Sequence, residues 1–263
     1  MNFSWKLGQL CGIDVYLHWS FLIVPTWVAL TTLATGAALA SAVSAIIYIL
    51  AVFGCVLLHE LGHALMAHHY GIATRDITLL PIGGLARLEG MPQNPRQELA
   101  IALAGPSVNL AIAVAIGIGM LCGNVVQSSF AIVSAAGSFL TNLAVANLVL
   151  AMFNLVPAFP MDGGRVFRAL LAMCVPYERA TQIATGLGQG LAVCLAVGGL
   201  FGNWSLLLVG FFVFVAARGE AERVKPSLSV PTKPEIPQDP APFILLPTHT
   251  WAHEVARVVR SRP

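Results

Sequence analysis

CVLLHELGHALMAHHY, residues 55–70, decides how the rest of the chain is read. Its centre, His59-Glu60-Leu61-Gly62-His63, has the pattern H-E-x-x-H. On a helix, positions four apart stand one above the other, so His59 and His63 offer two imidazole nitrogens to one metal ion. Glu60 sits beside the pair, where a carboxylate can take a proton from water on that metal. Residues 42–58 hold no charged side chain, so the motif forms the last third of an apolar helix long enough to cross a bilayer. Ionisable groups in such a helix are costly and mark a functional site. The alternative is a polar seam, with His and Glu hydrogen-bonded between packed helices. Three ionisable groups in one turn of an apolar span ask for more than packing, and the expectation is a zinc site within a membrane.

Composition points the same way. The 263 residues are 57% hydrophobic and 10% charged, with a mean hydropathy of +0.79. Soluble domains carry about 25% charged residues, so this is a polytopic membrane protein. A net charge of +2 gives no reason to expect a nucleic-acid partner. The five cysteines (Cys11, Cys55, Cys122, Cys174, Cys194) are odd in number and never spaced C-x-x-C, which argues against a disulfide framework or a thiolate zinc cluster. Cys55 precedes His63 by two turns, about 12 Å of helical rise, and reads as a packing residue. His68 and His69 lie off the 59/63 face and mark the helix end. No cleavable signal peptide is expected, because residues 1–16 carry Lys6 and Asp14 and have no apolar core.

The expected fold class is an all-α polytopic membrane protein of six transmembrane helices, near 17–39, 42–68, 98–121, 130–156, 179–201 and 205–217. Residues 71–97 differ in kind. Their charges, prolines, alternating Ile77-Thr78-Leu79 and Gly83-Gly84 predict a small membrane-associated β ribbon after the second helix. Gly105-Pro106 predicts a kink in the third helix. PAFPMDGG, residues 157–164, interrupts helix before a short one at 165–175. Three parts follow: an interfacial N-terminal segment (1–16), a six-span core (17–218), and a Pro-rich cytoplasmic tail with a short helix near 251–260 (219–263). All 14 Lys and Arg fall in residues 1–16, 71–97, 157–179 or from Arg218 onward. The positive-inside rule then puts those segments and both termini in the cytoplasm, with the metal motif toward that side of a multi-pass cell-membrane protein.

A catalytic zinc needs a third protein ligand and an open position. Asp162, in the broken stretch at the same level, is the candidate. An Asp before Gly-Gly and a helix is also a good N-cap, and the residues alone leave both readings open.

His59 to His63 in a span, together with NLVPAFPMDGG at 154–164, resemble the site-2 protease family of intramembrane zinc metalloproteases, over residues 12–218. The resemblance implies one Zn2+ per chain, held by His59, His63 and Asp162. It implies Glu60 as general base and Asn154 as the residue that positions the substrate carbonyl. It implies hydrolysis of a peptide bond within or near the transmembrane segment of a single-span membrane protein, such as an anti-sigma factor or another membrane-tethered regulator. Several relatives append nucleotide-sensing CBS modules. Here residues 243–260 suggest only the opening of one, and the resemblance leaves adenine-nucleotide regulation open.

A helical substrate in lipid must unwind to be cut, and its freed backbone needs partners. Residues 77–87 (Ile77 to Arg87) could supply them by β-augmentation, or could be an inert interfacial loop. Two rival classes stand beside the protease. A metal transporter would show matched repeats, which are not seen. A catalytically dead scaffold has no need of an intact His59, Glu60, His63 and Asp162.

Overall fold

Apolar runs without breakers become helices in a bilayer, because each backbone group must find its partner within its own segment. The computed structural model describes residues 4–90, 92, 94–126, 131–202 and 204–224. Its helices are α1 (Ile23–Ala34, after a 3-10 turn at Trp19–Leu22), α2 (Leu39–His69), α3 (Pro95–Val126), α4 (Ala131–Asn154), α5 (Asp162–Ala172), α6 (Tyr177–Leu200) and α7 (Trp204–Val224). Five of the expected spans overlap α2, α3, α4, α6 and α7, whereas the one expected at 17–39 begins in a strand, and its helix α1 covers only Ile23–Ala34. By length and composition α2, α3 and α6 can cross a membrane, whereas the apolar stretches Trp19–Ala34, Phe139–Asn154 and Leu206–Gly219 are shorter. α7 runs on to Val224, so the boundary expected at 218/219 falls inside a helix. The expected tail helix near 251–260 lies outside the described residues.

Large apolar side chains face outward: Trp27, Leu39 and Phe201 are 67%, 70% and 87% exposed. The interior is built from alanine, with Ala64, Ala169, Ala180, Ala184 and Ala217 fully buried. Lipid gives helices no hydrophobic reason to associate, so small residues that let backbones approach do the packing. Gly62 illustrates this. A Cβ there would lie 2.8 Å from Val108 and 3.1 Å from the Ala104 carbonyl, both on α3.

The fold is mostly helical, as expected, and its sheet is larger than the expected ribbon. Four strands, β1 (Ser4–Leu10), β2 (Ile13–His18), β3 (Thr74–Leu80) and β4 (Gly83–Leu88), pair in the order β1-β2-β3-β4. β1–β2 and β3–β4 are antiparallel, and β2–β3 is parallel. In the segment expected as an interfacial lead-in (1–16), the described residues from Ser4 onward form a hairpin that turns at Cys11-Gly12, with both residues at positive φ (50° and 82°). Its alternation has a packing cause. Ile13 and Val15 point inward, and Ile13 meets Ile77 and Ala64 of α2. Phe21 and Leu79 close on Phe53, so the sheet sits against the helix that carries the motif.

Pairing narrows the segment expected to offer an edge, residues 77–87. Ile77 is bonded on both sides, to Val15 and Ala86. The open edge next to α2 belongs to β4. Ala86 N–H leaves the ladder to reach a side chain, while Glu89 N–H donates to the Ala73 carbonyl. With a period of two, the N–H groups of Gly84, Ala86 and Leu88 therefore point out of the sheet.

Candidate metal centre

His59 and His63 share one buried face of α2, as their spacing demands. Nδ1 of His63 lies 2.7 Å from the Ile101 carbonyl on α3. A carbonyl only accepts, so Nδ1 carries the hydrogen and Nε2 turns a lone pair inward. Pro106, just over a turn further along α3, has no N–H to offer the Ala102 carbonyl. Asp162 arrives from the start of α5. Gly163 and Gly164 let that helix end tuck against the chain before it. A Cβ on Gly164 would stand 2.6 Å from the Phe159 nitrogen, and one on Gly163 would overlap the Leu155 and Val156 carbonyls. The cap reading is therefore set aside by geometry: Met161 is the N-cap, and Asp162 is the first helical residue, with its carboxylate turned to the histidines.

Nε2 of His59, Nε2 of His63 and Oδ2 of Asp162 stand 3.0–3.1 Å from one another. They form a buried or half-buried group able to hold a metal ion. Gly105 of α3 forms its wall, since a Cβ there would fall on Nε2 of both rings. With the hydrogen of His63 on Nδ1, its Nε2 lone pair and the Asp162 carboxylate converge, away from water, on a place that favours a cation. Two imidazole nitrogens and a carboxylate oxygen are a donor set that suits zinc.

Glu60 is half-buried beside the triad, and its Oε2 accepts from Ala86 N–H at 3.2 Å. Gly84 makes room for it: a Cβ there would come 3.1 Å from Glu60 Cδ. The close approach that Gly83-Gly84 permits is thus used by the Glu60 side chain. Asn154 is at the end of α4, and its amide donates to the Leu150 carbonyl at 3.0 Å, turned back on its own helix. No contact joins it to the triad among the described residues. His68 and His69 are exposed at the end of α2, as the sequence suggested.

Sequence reasoning missed a second buried cluster. Arg168 of α5 is fully buried and donates through Nε (2.8 Å) and Nη2 to Oε1 of Glu98 on α3. The guanidinium also lies over the rings of Phe159 (5.0 Å) and Tyr177 (5.1 Å). The pair ties the helix that carries Asp162 to the helix that orients His63. Nothing local announces it, because its members are 70 residues apart.

The model of peptidase family M50 matches residues 47–138 and 123–197, a region that includes the H-E-x-x-H turn and Asp162. The chain belongs to peptidase family M50. Among M50 relatives, a zinc metalloprotease of Methanocaldococcus jannaschii is 38% identical over 226 residues, covering 86% of this chain and 62% of that protein. Stage IV sporulation protein FB of Bacillus subtilis is 28% identical over 169 residues, 61% of this chain and 53% of that protein. The solved site-2 protease from Methanocaldococcus jannaschii superposes with a TM-score of 0.60 at 33% identity, over 83% of this chain and 95% of that one. This bears out the resemblance drawn from the two motifs. The chain spans about three fifths of the length of the curated relative it matches at 38% identity.

Proposed function

We propose that this M50 chain is a zinc-dependent intramembrane endopeptidase, cutting a peptide bond within or near the transmembrane segment of a membrane protein. The observation that carries the reading is the convergence of His59, His63 and Asp162 with Glu60 alongside, at the end of an apolar 31-residue helix. Zinc bound there supplies a Lewis acid that polarises the scissile carbonyl and makes water acidic enough to attack near neutral pH. Glu60, held by Ala86 N–H, takes the proton of the attacking water and passes it to the leaving amine. His63 is kept in one tautomer by Ile101 throughout. Asn154 donates to the developing oxyanion once its amide leaves the Leu150 carbonyl, the role its motif position suggests.

The substrate reading is a single-span protein, such as an anti-sigma factor or another membrane-tethered regulator. Six spans and both termini in the cytoplasm belong to the same proposal. The unwound substrate pairs with the outer edge of β4 at Gly84 and Leu88. Proline is tolerated on an edge strand where its missing N–H faces outward. Leu88→Pro should therefore weaken cleavage about tenfold with zinc unchanged, and Leu88→Ala should do far less. Normal cleavage by Leu88→Pro would return β4 to an inert role.

The decisive experiment replaces the wild type by Glu60→Gln in cells and compares membrane proteomes. Full-length single-span proteins should accumulate, together with loss of their shortened forms. If no membrane protein changes length while the variant binds zinc, the protease reading falls.

A further inference from the structure

Beyond the triad, a cavity of about 700 Å³ opens between the far end of β4 and the starts of α3 and α5. It adjoins the catalytic group: Ala86, whose N–H holds Glu60, and Ile101, whose carbonyl holds His63, are both in its wall. From Ala86 the wall follows β4 outward to Leu88 and Gly90. A peptide strand laid along that edge would run into the cavity two to four residues from its centre, about 7–13 Å at strand rise.

The charges of the cavity are four arginines and two glutamates. Two of the arginines are committed, Arg168 to Glu98 and Arg87 to Asp76 at 2.8 Å. Arg75 and Arg165 have no hydrogen bond or ion pair among the described residues, and Glu89, the remaining acid, is exposed at the rim and pairs with neither. Arg75 is exposed at the register shift of β3, between Thr74↔Leu88 and Asp76↔Arg87, and lines the cavity. Arg165 is half-buried in the first turn of α5, where the helix dipole disfavours a cation.

We infer that Arg75 and Arg165 form a subsite for a carboxylate side chain of the peptide substrate, two to four residues from the bond at Glu60. The inference rests on the protease reading for the peptide but adds a substrate class: unwound segments that carry Asp or Glu at that distance. Two guanidiniums bracketing one cavity suit a carboxylate, which accepts paired N–H donors.

The test is binding of fluorescein-labelled nine-residue β-prone peptides to the zinc-loaded full chain in detergent. Each carries one Asp, moved position by position to either side of the centre, or Asn in its place. At one or two positions the Asp peptide should bind about 10-fold more tightly than its Asn twin. Arg75→Gln and Arg165→Gln should each erode that ratio, and the double variant should abolish it. In Arg75→Glu/Arg165→Glu, a Lys peptide at the same position should now be preferred. Zinc content of Arg75→Gln, whose site is on the sheet, reports whether the fold is intact. Equal affinity of Asp and Asn peptides at every position overturns the inference. So does a ratio that survives the double variant. Equal peptide affinities with weaker binding of the double variant to anionic-lipid vesicles would assign the arginines to headgroups instead. Charge-selective binding without any cleavage would remove the protease reading and leave this subsite standing. Cleavage with no charge preference would do the reverse.

Discussion

Two buried polar clusters meet on α5, six residues or about 9 Å apart, and they are built by opposite rules. At Asp162 a carboxylate faces the Nε2 atoms of two imidazoles, and the Ile101 carbonyl fixes that of His63 as an acceptor. At Arg168 a cation faces the carboxylate of Glu98, with aromatic rings on its flanks. In the second cluster the buried charge finds its counter-charge within the chain. The first is a donor set that could hold a cation from outside. Burial alone therefore does not identify a site; what identifies it is a donor set that its own neighbours leave unbalanced.

Breaking the open cluster should have the largest effect. Asp162→Ala removes one of three donors, so zinc should be lost and hydrolysis should fall at least about 10³-fold. Metal analysis of the purified variant is the check, and full zinc occupancy would take Asp162 out of the site. Glu60→Gln probes the same cluster without touching the donors. Zinc should stay while hydrolysis drops about 10²-fold or more. Wild-type turnover in that variant would end the role of Glu60 as base.

The closed cluster should respond in stability before activity. Arg168→Met leaves Glu98 buried and uncompensated, a cost of about 3–5 kcal/mol. Adding Glu98→Leu should recover most of that loss, and the double variant should keep its zinc. Thermal unfolding with parallel metal analysis decides it. Zinc lost from a stable double variant would make the pair part of the site rather than a brace.

The smallest effect belongs to an exposed pair, Lys6 and Asp14 at 2.7 Å in the β1–β2 hairpin. The hydrogen bond from Lys6 holds the Asp14 carboxyl below its usual value. Its contribution is therefore present above about pH 4 and fades as pH falls through the lowered value. Lys6→Met should remove only that acid-side dependence from the melting curve, with zinc and cleavage unchanged.

What the sequence made legible was local. His59 and His63 announce each other across one turn, and the six apolar runs announce their helices by length. The N-terminal hairpin was hidden because its inward residues find their partners about 60 positions on, at Ile77 and Leu79. Glu98 and Arg168 were hidden for the same reason, each passing for an ordinary charge at a helix end. Asp162 was half legible. Its residue type and level in the membrane suggested a ligand, but only the tight turn at Gly163-Gly164 separates ligand from cap. The orientation of Asn154, decided by one rotamer against Leu150, left no trace in the sequence at all.

The distance along the chain between the three converging donors also sets an order of events at birth. Asp162 follows His59 by 103 residues. At synthesis rates of about 5–20 residues per second, roughly 5–20 s pass between the emergence of the first histidine and that of the carboxylate. Through that interval the nascent helix α2 carries two of the three donors, with nothing to close the group. On the proposed reading the chain is disarmed while its helices are being inserted, and becomes competent only when the fifth helix docks.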